Sequence, residues 1–449
     1  MNTPRPEDFF GDTPPPRIIG TECECNIQLT NDSSQASYIS KGAINRAGYK
    51  NTNGLLANGA KLYVDLEHLE VDSAEALGPG QAAAADLATI GILTRIVKAS
   101  GVEHKGLHRH SGTFLLSKEK TSGYHESYGI PRAIAGSGLI DTIVASHLAS
   151  RIYAWGGTVK SGFHLSQKVK GIGNPPITRI QERRTSETRK PMAMIPPEEK
   201  DRDTIGNPDW ARLEVRFADP GLNRNALFLS FATTSLALRI VEQSRKLELD
   251  ELLDLTFKDK VAAAQLFSRD LTFSETAETL NGNKISAANF QEILFQTAYE
   301  LSQKVELPKE ERQAIMLGFL MCDELRAADL TTGEYGRLPL MTHFAPRHQY
   351  LTSRYPLDRL HSGNRRAVSA NLSIDRILPE GGAMRAWAKI VSPFVSEEMI
   401  KEFEDKAPPT RAQARGKLIA QGASFANWAR VDLPGGKRID LPDPYATAA

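Results

Sequence analysis

Cysteine is scarce, with only Cys23, Cys25 and Cys322 in 449 residues. Three cysteines cannot build a disulfide framework, which suits a reducing compartment. Cys23-x-Cys25 lacks a zinc spacing and has no second pair to complete a site; it reads as small apolar residues on the inner side of a strand. Net charge is almost absent: 55 Lys and Arg against 54 Asp and Glu leave +1, so nothing favours nucleic acid or an anionic membrane as partner. No apolar run approaches the length of a bilayer span. The first 17 residues are polar, carry five prolines and hold no segment of signal-peptide type; a cytoplasmic protein is expected. Repeats, low-complexity tracts and coiled-coil heptads are missing. So are the P-loop and a helix-opening G-x-G-x-x-G, the G-x-S-x-G elbow and H-E-x-x-H.

What is present is an ordinary globular composition, 41% hydrophobic and 24% charged, long enough for two or three domains. The chain divides into a flexible leader (1–16), a main body (17–374) and a smaller C-terminal region (375–449). Strand patterns are expected at Arg17–Thr30, Lys61–Asp65, Thr113–Leu116 and Arg212–Phe217. Helices are expected over Gln81–Ser100, Leu139–Trp155, Asn225–Leu247 and most of Leu249–Leu330. Residues 31–53 read as a polar connection and 163–205 as loop, with an arginine cluster at Arg179, Arg183, Arg184 and Arg189 whose plain reading is solvated. Prolines and glycines suggest loop around Thr331–Arg347. A strand-like tail surrounds Trp428, Val431 and Ile439.

Side chains on a strand alternate between its two faces. Lys61, Tyr63 and Asp65 therefore share one face, with Leu62 and Val64 on the other. Glu22 and Glu24 share a face opposite Cys23 and Cys25, and Arg212, Glu214 and Arg216 share a third. Two carboxylates at i and i+2 repel unless they are solvated or bridged by a cation. Oxygen-rich faces suit hard cations such as Mg²⁺, which also coordinate phosphate oxygens, and arginines among them suit nucleotide phosphates. The pattern points to ATP-dependent chemistry without a P-loop. His125-Glu126, after a glycine-containing loop, offers a further ligand, although a histidine so placed is more often structural.

Arg212-Leu-Glu-Val-Arg-Phe-Ala-Asp-Pro-Gly-Leu-Asn223 resembles the R-[IL]-E-x-R-x-x-D-P…N pattern of glutamine synthetases and carboxylate–amine ligases. RIIGTECEC (17–25), NGAKLYVDLEHLEVDSAE (58–75), GYHESY (123–128), FHLSQK (163–168), TRKP (188–191), PPTRAQARGKL (408–418) and NWARVDL (427–433) resemble a branch of that superfamily. This branch comprises the ligase and the deamidase/depupylase of the prokaryotic ubiquitin-like protein Pup, and the match covers nearly the whole chain in order. The resemblance implies an α+β fold, with a curved antiparallel sheet of glutamine synthetase type packed against helices and a small C-terminal domain. It implies ATP and Mg²⁺ as cofactors, and a Pup-like modifier with its lysine-conjugated protein substrates as partners. Glu22, Tyr63 and Glu70 would hold magnesium, and Glu24 and His125 a second metal position. Lys61, Ser73, Arg189, Arg216 and Trp428 would contact nucleotide. Asp65 would be the catalytic carboxylate.

Two departures stand out. Glu214 occupies a position where the Pup enzymes have histidine and restores the glutamine synthetase form, a further metal-binding carboxylate. Ser127 replaces an asparagine. The five-residue step from Asp65 to Glu70 resembles the depupylase branch. The short stretch between Glu24 and Asp65, and the overall length, resemble the ligase. The sequence therefore favours an amidase or isopeptidase that deamidates the modifier or removes it from lysine. The alternatives are an isopeptide-forming ligase, a small-molecule γ-glutamyl–amine ligase and, least favoured, a non-enzymatic scaffold.

Overall fold

The computed structural model describes residues 12–29, 41–65, 68–110, 122–159, 162–178, 191–196, 207–361, 364–378, 387 and 389–448. Its centre is the twelve-residue strand Ile18–Leu29. This strand pairs antiparallel with His68–Asp72, Ala76–Leu77, His104–His108 and Tyr124–Pro131. Outward on one side follow Lys61–Asp65, Leu55–Leu56 and Asn51–Thr52; on the other follow Trp210–Val215, Ala193–Met194 and Ile177–Thr178. With Arg376–Leu378 beside His104–His108 the sheet has twelve strands among the described residues. Of these, only Ile177–Thr178 runs parallel to its partner. The architecture is the expected α+β one of glutamine synthetase type, rich in antiparallel pairing.

One face of the sheet is apolar. Ile19, Cys23, Cys25, Leu69 and Val71 are buried there in a core shared with the Gly78–Ser100 and Arg224–Glu242 helices. Cys23 and Cys25 are only 1% exposed, as small apolar residues should be, and their sulfurs lie 3.9 Å apart. The Gly78–Ser100 helix opens with proline in its first turn, where no N–H partner is needed, and ends at Gly101 in the left-handed region at φ 72°. The Arg224–Glu242 helix is capped by Asn223, whose side chain accepts from the backbone N–H groups of Asn225 and Ala226. Arg17, at the foot of the central strand, donates to Glu242 at 2.8 Å and to the Gly129 carbonyl at 2.8 Å, so helix, central strand and neighbour are tied by one buried guanidinium.

The loop expected around 331–347 is instead partly helical, at Leu338–Met341 and Phe344–Thr352. Pro339 and Pro346 both fall in first turns, where a missing N–H costs nothing. The helical stretch from Leu249 is interrupted by the hairpin Thr276–Glu278/Lys284–Ser286. Within 163–205, short strands at Phe163–His164, Ile177–Thr178 and Ala193–Met194 replace part of the expected loop. The strand expected at Thr113–Leu116 and the cluster of Arg179, Arg183, Arg184 and Arg189 lie outside the described residues. Among the described residues no helix is long and apolar enough to cross a membrane.

Near the C-terminus, the Arg411–Ala420 helix and a three-stranded sheet (Phe425–Ala426, Arg430–Asp432, Arg438–Asp440) enclose a second apolar cluster with Leu55. An ion cluster ties this unit to the body. The Glu75 carboxylate accepts from Arg411 at 2.9 Å and from Arg415 at 2.6 Å. Burial opposes charge on Glu75, but the two guanidiniums, Arg415 foremost, prevail and hold its pKa at about 2, against 4.5 unperturbed. Because the folded-state value is depressed, the stabilisation, roughly 3 kcal/mol, is complete above pH 4.5 and is lost as pH falls from there toward 2. Glu75→Gln should therefore flatten the acid limb of stability. Equal slopes for both proteins in denaturant titrations between pH 5 and 3 would refute this linkage.

Candidate active site

The sheet's other face gathers the polar residues of all the candidate strands. Directly opposed residues of antiparallel neighbours share a face. The registers Lys61↔Asp72, Asp72↔Glu22 and Glu22↔His125 make one row across four strands. Tyr63↔Glu70 and Glu70↔Glu24 make a second. Ser127↔Glu214 places the Trp210–Val215 strand beside them, with Arg216 just past its end. Asp65 closes the Lys61–Asp65/His68–Asp72 hairpin opposite His68.

Among the described residues, two groups of potential ligand atoms each converge within 4.8 Å: Glu22, His125 and Glu214, and Glu24, Asp65 and Glu70. The partition differs from the one the family resemblance implies, since His125 joins Glu22 rather than Glu24. His125 Nδ1 is 3.1 Å from Glu22 Oε2 and 3.6 Å from Glu214 Oε1. Arg212 bridges the same two carboxylates, donating to Glu22 at 2.7 Å and to Glu214 at 2.9 Å, and Arg216 donates to Glu214 at 2.7 Å. Tyr63 belongs to the second row, and the Lys61 ammonium of the first lies 4.1 Å from its ring centroid.

The electrostatics divide the site. At Glu22 and Glu214 burial works against ionisation, but Arg212, helped by His125, keeps both below the usual carboxylate range. His125 is lowered, by burial before all else and by Lys168 and Arg216, which keeps an imidazole lone pair free for a metal. Among the described residues no guanidinium offsets burial at Glu70 as Arg212 does at Glu22. Burial first, then the Glu22 charge, pushes it up to about 8. Asp72 is raised well above the ordinary value by burial and by Glu22 and Glu70, and burial with the Asp72 and Glu70 charges holds the Tyr63 phenol protonated. Clustered buried oxygens that repel one another without a counter-ion are what a divalent cation relieves, so the residues fit Mg²⁺.

Beside the rows lies a cleft whose lining includes Gly20, Glu22, Asp72, Ser73, Arg212 and Trp428. The structure thus brings Ser73, which follows the His68–Asp72 strand, and Trp428 of the C-terminal unit to one cleft. Arg415 holds this wall: it donates to the Trp428 carbonyl at 2.7 Å, and its guanidinium carbon is 5.0 Å from the indole centroid.

Not every motif residue faces the site. Asn223 is a helix cap. Asp219 accepts from the backbone N–H groups of Gly156 at 3.0 Å and Gln167 at 2.9 Å, fixing the FHLSQK segment, while Lys168 donates to the carbonyls of Tyr124 at 2.6 Å and Arg216 at 3.0 Å. Glu126, adjoining His125, points to the other face and accepts from Arg151 and Ser230, each at 2.7 Å, so it is an anchor rather than a ligand. Asp72 also joins the polar face, although the strand patterns above do not mark it. Its i+2 spacing from Glu70, the same as Glu22 to Glu24, is the sequence signal that points to it. Arg189 lies outside the described residues.

An α+β sheet of glutamine synthetase type with carboxylates and arginines across one face and a cleft at its edge defines the class. The profile of the Pup-ligase protein family matches residues 21–432, and the chain belongs to that family. The Pup–protein ligase of Acidimicrobium ferrooxidans is 24% identical over 468 residues, 96% of each chain. The Pup deamidase/depupylase of Mycolicibacterium smegmatis is 25% identical over 415 residues, 87% of this chain and 77% of that one. Among solved structures, the complex of Pup with its ligase PafA matches with a TM-score of 0.77 at 18% identity, covering 97% of this chain and 90% of the other. The ligase PafA in complex with ADP matches with a TM-score of 0.73 at 18% identity, covering 90% and 89%. The chain is thus one of the Pup-modifying enzymes, with both branches among its relatives.

Proposed function

We propose that the protein is a Mg·ATP-dependent enzyme acting on the side-chain amide or isopeptide of a Pup-like modifier's C-terminal residue, with Asp65 as the reacting carboxylate. The observation that carries this reading is the contrast within the site. Glu22 and Glu214 are tied up by Arg212, and Glu70 is 4% exposed, whereas Asp65 stands exposed at the hairpin tip beside Glu24 and Glu70. A nucleophile must reach a protein-sized substrate, and Asp65 is placed to do so. Magnesium, held by Glu22, Tyr63, Glu24, Glu70, His125 and Glu214, would supply charge neutralisation to phosphates and to a developing oxyanion. Lys61, Ser73, Arg189, Arg216 and Trp428 would hold the nucleotide.

In the amidase direction an Asp65 oxygen attacks the side-chain carbonyl carbon. The carbon–nitrogen bond breaks, and the amine leaves with a proton as ammonia or as lysine. Water then opens the resulting anhydride, returning the Asp65 carboxylate and a free modifier carboxylate. The five-residue step from Asp65 to Glu70, which resembles the depupylase branch, supports this direction. The reverse reading, in which the modifier's carboxylate is phosphorylated by ATP and Asp65 takes a proton from the incoming lysine amine, is favoured by the fuller coverage of the Acidimicrobium ferrooxidans ligase than of the Mycolicibacterium smegmatis depupylase. One incubation separates them: with ATP, free modifier and a lysine conjugate, the amidase consumes conjugate without stoichiometric ADP. Accumulation of conjugate with matching ADP release would reject the amidase direction in favour of the ligase.

A further inference from the structure

Asp72 is the acid on this face that the family resemblance does not assign. Asp72 is 3% exposed, it lines the cleft with Ser73 and Trp428, and its Oδ1 has no hydrogen-bond partner among the described residues. It lies opposite Glu22 on one side and Lys61 on the other. Yet the Lys61 ammonium sits over the Tyr63 ring, and Arg212 is engaged by Glu22 and Glu214. Its oxygens also belong to neither converging group of potential metal ligands. A buried acceptor left unpaired is costly unless a bound partner satisfies it. Charged or protonated, the side chain keeps an acceptor oxygen, to which a sugar hydroxyl can donate and an unprotonated phosphate oxygen cannot.

We infer that Asp72 reads the sugar of the bound nucleotide, accepting a hydrogen bond from a ribose hydroxyl in the cleft between the carboxylate rows and Trp428. This rests on the reading of that cleft as the nucleotide site. The carboxylate then discriminates ribo- from deoxynucleotides, because a deoxy analogue leaves its oxygen buried and unpaired.

Isothermal titration of wild type, Asp72→Asn and Asp72→Ala with the magnesium complexes of ATP, 2′-deoxy-ATP and 3′-deoxy-ATP tests the assignment, with thermal melts of the ligand-free proteins as the folding control. Wild type should bind at least one deoxy analogue roughly tenfold or more weakly than ATP. That ratio should shrink in Asp72→Asn, which keeps a carbonyl acceptor, and fall to near one in Asp72→Ala. A wild type that binds all three alike, or an Asp72→Ala that still discriminates, overturns the proposal. So does a variant in which Mg²⁺ binding without nucleotide weakens while the sugar ratio is unchanged, since that makes Asp72 a metal ligand. If wild type binds no Mg·ATP at all, the nucleotide reading of the cleft itself fails, an outcome distinct from the others.

Discussion

Asp65→Asn is expected to lower turnover by about 10³-fold or more in either direction of the reaction, because an amide neither forms the anhydride nor accepts the lysine proton. The loss should be confined to chemistry. Asp65 is the exposed member of its group, and Glu24 and Glu70 remain beside it, so Mg·ATP affinity should stay within a few-fold. The melting temperature should scarcely move, as is usual for a surface substitution. Glu70→Gln provides the contrast, since it removes a buried ligand candidate and should weaken metal-dependent nucleotide binding together with turnover. Single-turnover assays beside calorimetry distinguish the two. An Asp65→Asn protein retaining a tenth of wild-type activity would exclude Asp65 as the reacting group.

The largest expected effect on stability belongs to Arg415→Ala, at about 3–5 kcal/mol, the range for breaking a buried ion pair from one side. Arg415 is fully buried and donates to Glu75 Oε2 at 2.6 Å, to the Trp428 carbonyl at 2.7 Å and to the Gly59 carbonyl at 3.4 Å. Its removal leaves Glu75 paired with Arg411 alone and frees the Trp428 wall. Denaturant melts should show the loss, and the KM for ATP should rise in the same variant because the cleft has lost its brace. Adding Glu75→Gln should restore part of the stability by removing the under-compensated charge, but not the KM. A loss below about 1 kcal/mol would mean that the cluster lies outside the cooperative core.

Much of the polar face is legible in the sequence, and for a local reason. Side-chain alternation has period two, so Lys61/Tyr63/Asp65, Glu22/Glu24 and Arg212/Glu214/Arg216 each announce a shared face within a few residues. The same locality explains what the sequence leaves hidden. Asp219 and Asn223 belong to the motif that carries Arg212 and Glu214, and only their hydrogen bonds show that they brace a loop and cap a helix. Pro339 and Pro346 read as loop because a proline's cost depends on its place in a turn, which flanking sequence alone does not set.

By itself the sequence determined the family, the strands that carry the chemistry and the absence of P-loop, zinc-protease and serine-hydrolase machinery. The tertiary structure decided which of those strands meet. His125 reaches Glu22 across 103 residues of chain and Arg212 reaches it across 190; both contacts come from antiparallel register, a long-range property in which a one-residue slip would send every side chain to the opposite face. Register also turned Asp72 toward the cleft and Glu126 away from it, and docking of the C-terminal unit through Glu75 and Arg415 set Trp428 beside Ser73. Each strand could state what it carried, and only the assembled sheet could state what it faced.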